Sequence, residues 1–376
     1  MKRFVKMSMV AAVTLASLNS NVSAKTLAEV ADGIDVFGYV NLRYEDRNTE
    51  AATGNAADDD ALYLHKEVLG VTGKITDDVS YMFAGANLSS NSTNSSIGYQ
   101  GFLMVYSYFT YTGIDNTSIS AGRQGLDTPL TVVYNPATAT SEANGVSLTT
   151  KFAGTTLNAA YYASTNFDLG DTASDFPGTA ITGGESYAHV GLSRNIGPVS
   201  LDAWYATMED RYDAYTIGAE ANFDMGSAVI SPYARYSAAD IDGVDADQSL
   251  WQAGLSAKIG SVEASVAYGQ TDEEGGWVTF DEDAEANLEG WQIGLLGNAD
   301  AELITTGINM DVTPKLNVSA NYAAMEVASN DETEVYGSVK YKFSNDLSAT
   351  VTLGQVDIDG ESDKREVGRI QVLWFF

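Results

Sequence analysis

The sequence predicts an all-β protein: a transmembrane, antiparallel, up-and-down β-barrel of about 18 strands, with short periplasmic turns, long extracellular loops and the third loop folded inward. Three observations carry this. Apolar and polar residues alternate with period 2 along nearly the whole chain. The connections alternate in length, tight turns rich in Gly, Asn and Asp against long polar loops. The chain closes on GRIQVLWFF (368–376), an alternating strand whose last residue is Phe376.

A removable segment precedes the first strand. MKRFVK carries Lys2, Arg3 and Lys6, an apolar stretch MSMVAAVTLASL follows, and Val22-Ser23-Ala24 supplies a small-x-small cleavage pattern. Residues 1–24 read as a secretory signal peptide, and 25–376 as a single barrel domain. The chain's formal net charge is -31, and losing three signal cations makes the remainder more acidic still. Phosphate binding needs the opposite sign, so nucleic acid is excluded as a partner. There is no cysteine, so disulfides do not stabilise the exported chain. No apolar run after residue 24 is long enough for a membrane helix.

The strands follow in order. In 34–45, IDVFGYVNLRYE, Ile34, Val36, Gly38, Val40, Leu42 and Tyr44 oppose Asp35, Asn41, Arg43 and Glu45. Strands 62–75 and 79–88 meet at Thr76-Asp77-Asp78, and a Ser/Asn-rich loop leads to 102–112 and 117–124. Strands 145–152 and 155–164 meet at Ala153-Gly154; 185–194 and 199–208 meet at Asn195-Ile196-Gly197-Pro198. In 199–208, Val199, Leu201, Ala203 and Tyr205 oppose Asp202 and Trp204. In 214–223, Tyr215, Ile217, Ala219 and Ala221 oppose Glu220 and Asn222. Then come 228–238, 248–259 and 262–271, the last two joined by Gly260-Ser261. WQIGLL (291–296) fits a strand or a loop. The remaining strands are 301–311, 316–325, 332–343, 347–355 and 365–376. An even number puts both termini on the short-turn side. Long connections lie at 46–61, 89–101, 125–144, 165–184, 239–247, 272–300 and 356–364; among the connections on that side, 209–213 alone is about as short as a turn.

Such strands separate two media. In the closing strand Ile370, Val372, Trp374 and Phe376 face lipid, with Trp374 and Phe376 at the interface where aromatic girdles lie. A barrel this wide is not filled by its wall and leaves an aqueous channel. The opposite face carries Arg43, Glu45, Lys151, Asp202, Glu220, Arg235, Lys258, Glu263, Lys340 and Arg369, charges that need water beside them.

The third long loop, GLDTPLTVVYNPATATSEANG (125–145), has an apolar centre. Folding it inward buries Leu130, Val132, Val133 and Tyr134 and brings Asp127 and Glu142 to a constriction, with Arg123 facing them across a transverse field. Carboxylates at a narrow point attract cations. DEEGGWVTFDEDAEANLEG (272–290) holds eight acids and no base, and reads as a solvated loop forming a negative vestibule. Clustered carboxylates suit calcium, but DIDGVDAD (240–247) and DIDG (357–360) are fragments of a calcium loop, so no cofactor is assigned from spacing. His65 and His189 are the two histidines and neither has a Ser signature beside it, which argues against an enzyme.

Four blocks carry a family resemblance: TLAEVADGIDVFGYVNLRYED (26–46), SISAGRQGL (118–126), TPKLNVSANY (313–322) and the closing GRIQVLWFF. Together they resemble the major outer membrane protein porins of the Campylobacter type, and the terminal Phe resembles the insertion signal of Gram-negative outer-membrane barrels. The resemblance implies an integral outer-membrane, 18-stranded, cation-preferring homotrimeric porin with an inward third loop and a divalent cation such as calcium near the constriction. Arg123 and Gln124 match the loop entrance; the family's acid has no counterpart at the same offset, Glu142 standing nearby. The expected function is general diffusion of ions and small hydrophilic solutes. The alternatives are a substrate-specific channel, with Trp204, Tyr39 and Phe37 as a ladder, or an adhesive or structural barrel.

Overall fold

Every peptide group of a strand that crosses hydrocarbon needs a partner, and only a closed sheet provides one for each strand. The computed structural model has that form. It describes residues 33–49, 58–92, 101–134, 140–169, 176–327, 330–360 and 364–376; the predicted signal peptide lies outside them. The strands are β1 (Ile34–Thr49), β2 (Asp58–Lys74), β3 (Val79–Ser92), β4 (Leu103–Ile114), β5 (Thr117–Gly125), β6 (Glu142–Phe152), β7 (Thr155–Thr165), β8 (Tyr187–Ile196), β9 (Val199–Met208), β10 (Tyr212–Ala221), β11 (Phe223–Asp224), β12 (Ala228–Ile241), β13 (Gln248–Ile259), β14 (Val262–Thr271), β15 (Glu302–Asp311), β16 (Leu316–Glu326), β17 (Asp331–Lys342), β18 (Leu347–Ile358) and β19 (Arg365–Phe375). The two-residue β11 continues β10 past Asn222 along the same neighbour, β12. The wall therefore has 18 full staves, as the alternation predicts.

All pairings are antiparallel between sequence neighbours, and β1 closes on β19 from Tyr39 opposite Phe375 to Asn48 opposite Glu366. Phe376 extends the closure by exchanging backbone hydrogen bonds with Gly38 at 3.0 and 3.1 Å. The C-terminal strand is thus a stave of the wall. Its outward residues Ile370, Trp374 and Phe376 are exposed, and the Trp374 and Phe376 rings lie 4.9 Å apart.

The period-2 pattern is realised residue by residue. On β10 buried Thr216 and Gly218 alternate with exposed Tyr215 and Ile217. The turn at Ala153-Gly154 has φ of 49° and 81°, the two positive values of a type I′ hairpin turn, and glycine takes the second without strain. Two connections on the long-loop side, not one, are as short as turns: between Met208 and Tyr212, and between Glu326 and Asp331. WQIGLL is loop, with a bridge between Glu289 and Gly294.

The core lies inside the barrel. One cluster joins Leu126 and Leu130 of the third loop, Phe167, Phe176 and Ile181 of the next long loop, and Phe280 of the 272–300 loop to the wall at Tyr187 and Ile241. The Phe167 and Phe280 rings stack at 4.4 Å. A second cluster packs Val278, Leu288, Ile293 and Leu295 onto Leu303 and Met325. The third loop and the 272–300 loop therefore reach into the lumen, with Phe167, Phe176 and Ile181 of the loop between β7 and β8 packed against them.

Candidate pore constriction

The third loop leaves β5 at Gly125 and knots on itself. The Leu126 N–H donates to Ser141 O at 2.9 Å, the Ser141 N–H to Val132 O at 2.7 Å, and the Thr131 hydroxyl to Leu126 O at 2.7 Å. Leu130 is buried completely and Val132 nearly so, but Val133 is half-buried and Tyr134 keeps 43% exposure, so only the first half of the apolar centre is buried as the sequence suggests. Beyond the knot, Tyr134 reaches the closure of the barrel, its ring 5.7 Å from Tyr39 and 6.4 Å from Phe375. Although the side chain stays exposed, partial desolvation against these rings pushes the Tyr134 hydroxyl up to about 12. The inward third loop of the sequence reading is present.

Its charged residues are arranged otherwise than the spacing suggests. Arg123 donates through Nε and Nη2 to one Glu142 oxygen at 3.0 and 2.8 Å, and the Thr140 hydroxyl donates to the other at 3.2 Å. Arg123 and Glu142 are a bonded pair at the roots of β5 and β6, not opposed charges across a gap. Asp127 is exposed and stands apart from that pair.

The 272–300 loop also folds inward, which the acidic composition concealed. Phe280 and Ala286 donate their N–H groups to Leu130 O and Pro129 O at 3.0 and 2.9 Å, tying the two loops together. Gln252 Nε2 donates to Glu285 O at 3.0 Å. Arg235 bridges Asp202 on β9 at 2.9 Å and Glu285 on the loop at 3.0 Å. Farther round, Glu334 on β17 accepts the N–H groups of Trp291 and Gln292 at 2.5 and 2.8 Å. A Cβ on Gly290 would stand 2.0 Å from Glu334 Oε1 and would push the carboxylate off the N–H groups it accepts. The Arg369 guanidinium lies 5.1 Å from the Trp291 ring. The vestibule reading is corrected accordingly. Its missed signal was Val278, Phe280, Leu288, Ile293 and Leu295, the same apolar content that marked the third loop.

The wall charges of the sequence reading share the inward alternation. Glu45, fully buried, takes Arg369 Nε at 2.5 Å and Arg43 Nε at 3.0 Å. Lys258 lies opposite Glu263 across β13 and β14, and Lys340 opposite Asn317 across β16 and β17. Glu220 is in step with Thr216 on β10, and Lys151 with Ser147 on β6. Lys66, which the sequence reading did not single out, is buried on β2 with Nζ 5.8 Å from the Tyr39 ring. No group of three or more acids or histidines suited to a metal occurs among the described residues.

Within the inner acidic loop, burial raises Asp281 to about 6. Burial and then the Asp283 charge raise Glu289 to about 9. Glu289 therefore holds a proton at neutral pH, and alkaline pH adds a negative charge to the loop. Cation preference should rise between pH 7 and 10, and Glu289→Gln should flatten that rise in reversal-potential measurements. The unfolded carboxyl releases its proton near 4.5, so this group weakens folding as pH climbs from there to about 9.

Solved structures share the architecture. A BenF-like porin from Pseudomonas fluorescens Pf-5 superposes with TM-score 0.75 at 14% identity, over 91% of this chain and 98% of its own. Pseudomonas aeruginosa OccK5 (OpdH) gives 0.75 at 12% identity over 92% and 98%. OpdK of the same organism, solved with vanillate, gives 0.73 at 14% identity over 92% and 99%. A search of curated proteins finds no match. The sequence matches the Campylobacter major outer membrane protein family over residues 1–367. Family and fold together make this chain an integral barrel of the Gram-negative outer membrane, of a channel class and not an enzyme, and it belongs to the Campylobacter major outer membrane protein family.

Proposed function

We propose that the protein is a general diffusion porin with a preference for cations. The observation that carries this reading is the pair of inward loops: they narrow a lumen too wide to close by itself, and the second brings Asp281, Glu282 and Asp283 inside, with Glu289 adding its charge at alkaline pH. A formal net charge of -31 adds a field that concentrates cations around the mouth. Asp127, exposed on the third loop, adds to it, whereas Glu142 is compensated by Arg123. Residues 1–24 serve as a cleaved export signal, 25–376 form the mature domain, and copies assemble as trimers in the membrane.

Purified protein in planar bilayers should insert in conductance steps that grow linearly with KCl concentration. Liposomes carrying it should swell in neutral sugars at rates falling smoothly with sugar size. No conductance from a folded, heat-modifiable barrel would refute the reading.

One observation favours a substrate-specific channel instead. Lys66, with Nζ 5.8 Å from the Tyr39 ring, stands on a wall of Tyr39, Tyr134 and Phe375, a cation among rings suited to small aromatic carboxylates, while Arg43 and Arg369 on the adjoining staves are engaged by Glu45. The vanillate in OpdK is a ligand of that type. Current block that saturates with an aromatic carboxylate would support this second reading.

A further inference from the structure

Arg194 stands on the outward side of β8. Its neighbours on that side, Val190, Leu192 and Ile196, are exposed and apolar. Arg194 is exposed too, and among the described residues no salt bridge reaches it. A guanidinium beside hydrocarbon is costly unless it meets an anion. Its place on the wall says which anion. Arg194 lies opposite Thr155, and Thr155 opposite Phe152, which adjoins the Ala153-Gly154 turn. Short turns of such barrels are periplasmic, so Arg194 is near the periplasmic rim, at the depth of lipid headgroups. The anion at hand there is phosphate, whose oxygens fit the planar fork of arginine.

The same row continues away from the rim. Arg194 lies opposite Leu201, Leu201 opposite Ala219, Ala219 opposite Ala234, and Ala234 opposite Ala253. Three successive staves thus present only a methyl group outward. The row on one side carries Ile217, Tyr236 and Trp251, all exposed, and the row on the other carries Pro232 opposite Leu255. A groove of about 750 Å³ lies along these staves, with Arg194 at one end and Trp251 and Ala253 at the other. Tyr268, opposite Ala253 and with its ring 5.2 Å from that of Trp251, closes the far end.

The groove has the reach of one leaflet. Strands of such barrels tilt by about 40°, so a row perpendicular to them climbs as it goes. Four steps of about 4.8 Å carry it about 19 Å along the wall and about 12 Å into the hydrocarbon. One leaflet is about 15 Å deep. A phosphate at the rim with an apolar chain of that length behind it is a phospholipid. A zwitterionic headgroup would bring its own ammonium against the guanidinium, so the matching headgroup is anionic. We propose that the outer face from β8 to β13 binds an anionic phospholipid of the periplasmic leaflet, its phosphate on Arg194 and one acyl chain in the alanine trough. The site does not depend on what the lumen carries.

Protein purified in mild detergent is stripped of lipid, given phosphatidylglycerol or phosphatidylethanolamine, and weighed by native mass spectrometry. One phosphatidylglycerol per chain is expected to outlast phosphatidylethanolamine. Arg194→Gln should weaken phosphatidylglycerol about tenfold and erase the preference. Ala234→Phe fills the trough and should remove both lipids, while Leu353→Phe, outward on β18, should change nothing. Heat-modifiable migration shows that each barrel is folded. No retained lipid, equal retention by all variants, or lipopolysaccharide retained in place of phospholipid would overturn the site. A second readout leaves the trough intact. The chain has no cysteine, so Ile217→Cys beside the trough and Leu353→Cys far from it each carry a single bimane. In phosphatidylethanolamine vesicles containing phosphatidylglycerol brominated on its acyl chains, stronger quenching is expected at 217, and Arg194→Gln should abolish the difference. Equal quenching at the two positions would overturn the site.

Discussion

Glu334→Ala should raise single-channel conductance and make it noisier, because Glu334 holds the acidic inner loop against the wall. Its carboxylate is almost fully buried and accepts two backbone N–H groups, those of Trp291 and Gln292. Hydrogen bonds to a charged group contribute about 1.5–3 kcal/mol each, so the loop loses up to roughly twice that in docking, less the relief of no longer burying the charge. The barrel itself should persist, since its wall hydrogen bonds are untouched. Glu334→Gln retains one acceptor and the side-chain volume, and should fall between. Bilayer recordings check the order wild type, Gln, Ala. Unchanged conductance in the Ala variant would mean that the loop's other ties, to Arg235, to Gln252 and to the third loop, hold it without Glu334.

Leu130→Asp should open the passage from the other side. Leu130 is completely buried where the third loop meets Phe280. Burying a carboxylate there costs several kcal/mol, and its hydration would force the two loops apart. Leu130→Ala leaves a cavity in place of a charge and costs about 2–5 kcal/mol. Both variants should still show heat-modifiable migration, and the Asp variant should conduct more. A variant that fails to insert would show instead that the third loop is needed to form the barrel.

The wall was legible because its signal is local. Alternation over ten residues decides which medium each side chain meets, as β10 shows residue by residue. Even the charged inner face could be listed from spacing, with Arg235 and Asp202 among its members, though not that these two bond across β9 and β12. Contacts between distant segments were not legible. Glu285 meets Arg235 and Trp291 meets Glu334 across some fifty and forty residues of chain, and nothing at either end announces the other. The eight acids of 272–290 argued for solvent, yet the five buried apolar residues of 272–300 outweigh them once the lumen offers a surface. Asp127 and Glu142 looked alike in sequence; Glu142 pairs with Arg123 because β5 and β6 are neighbours, while Asp127 projects from the turn before Thr128. Lys66 went unnoticed because the alternation of β2 is blurred by His65 and Glu67 on its outward side.

The zero-current potential across a bilayer under a KCl gradient tests the cation-preferring passage most directly. The potential should move toward the potassium equilibrium value, and neutralising Asp281, Glu282, Asp283 and Glu289 together as Asn or Gln should bring it back toward zero. A wild-type potential at zero or on the chloride side would contradict an acidic passage, whatever the conductance.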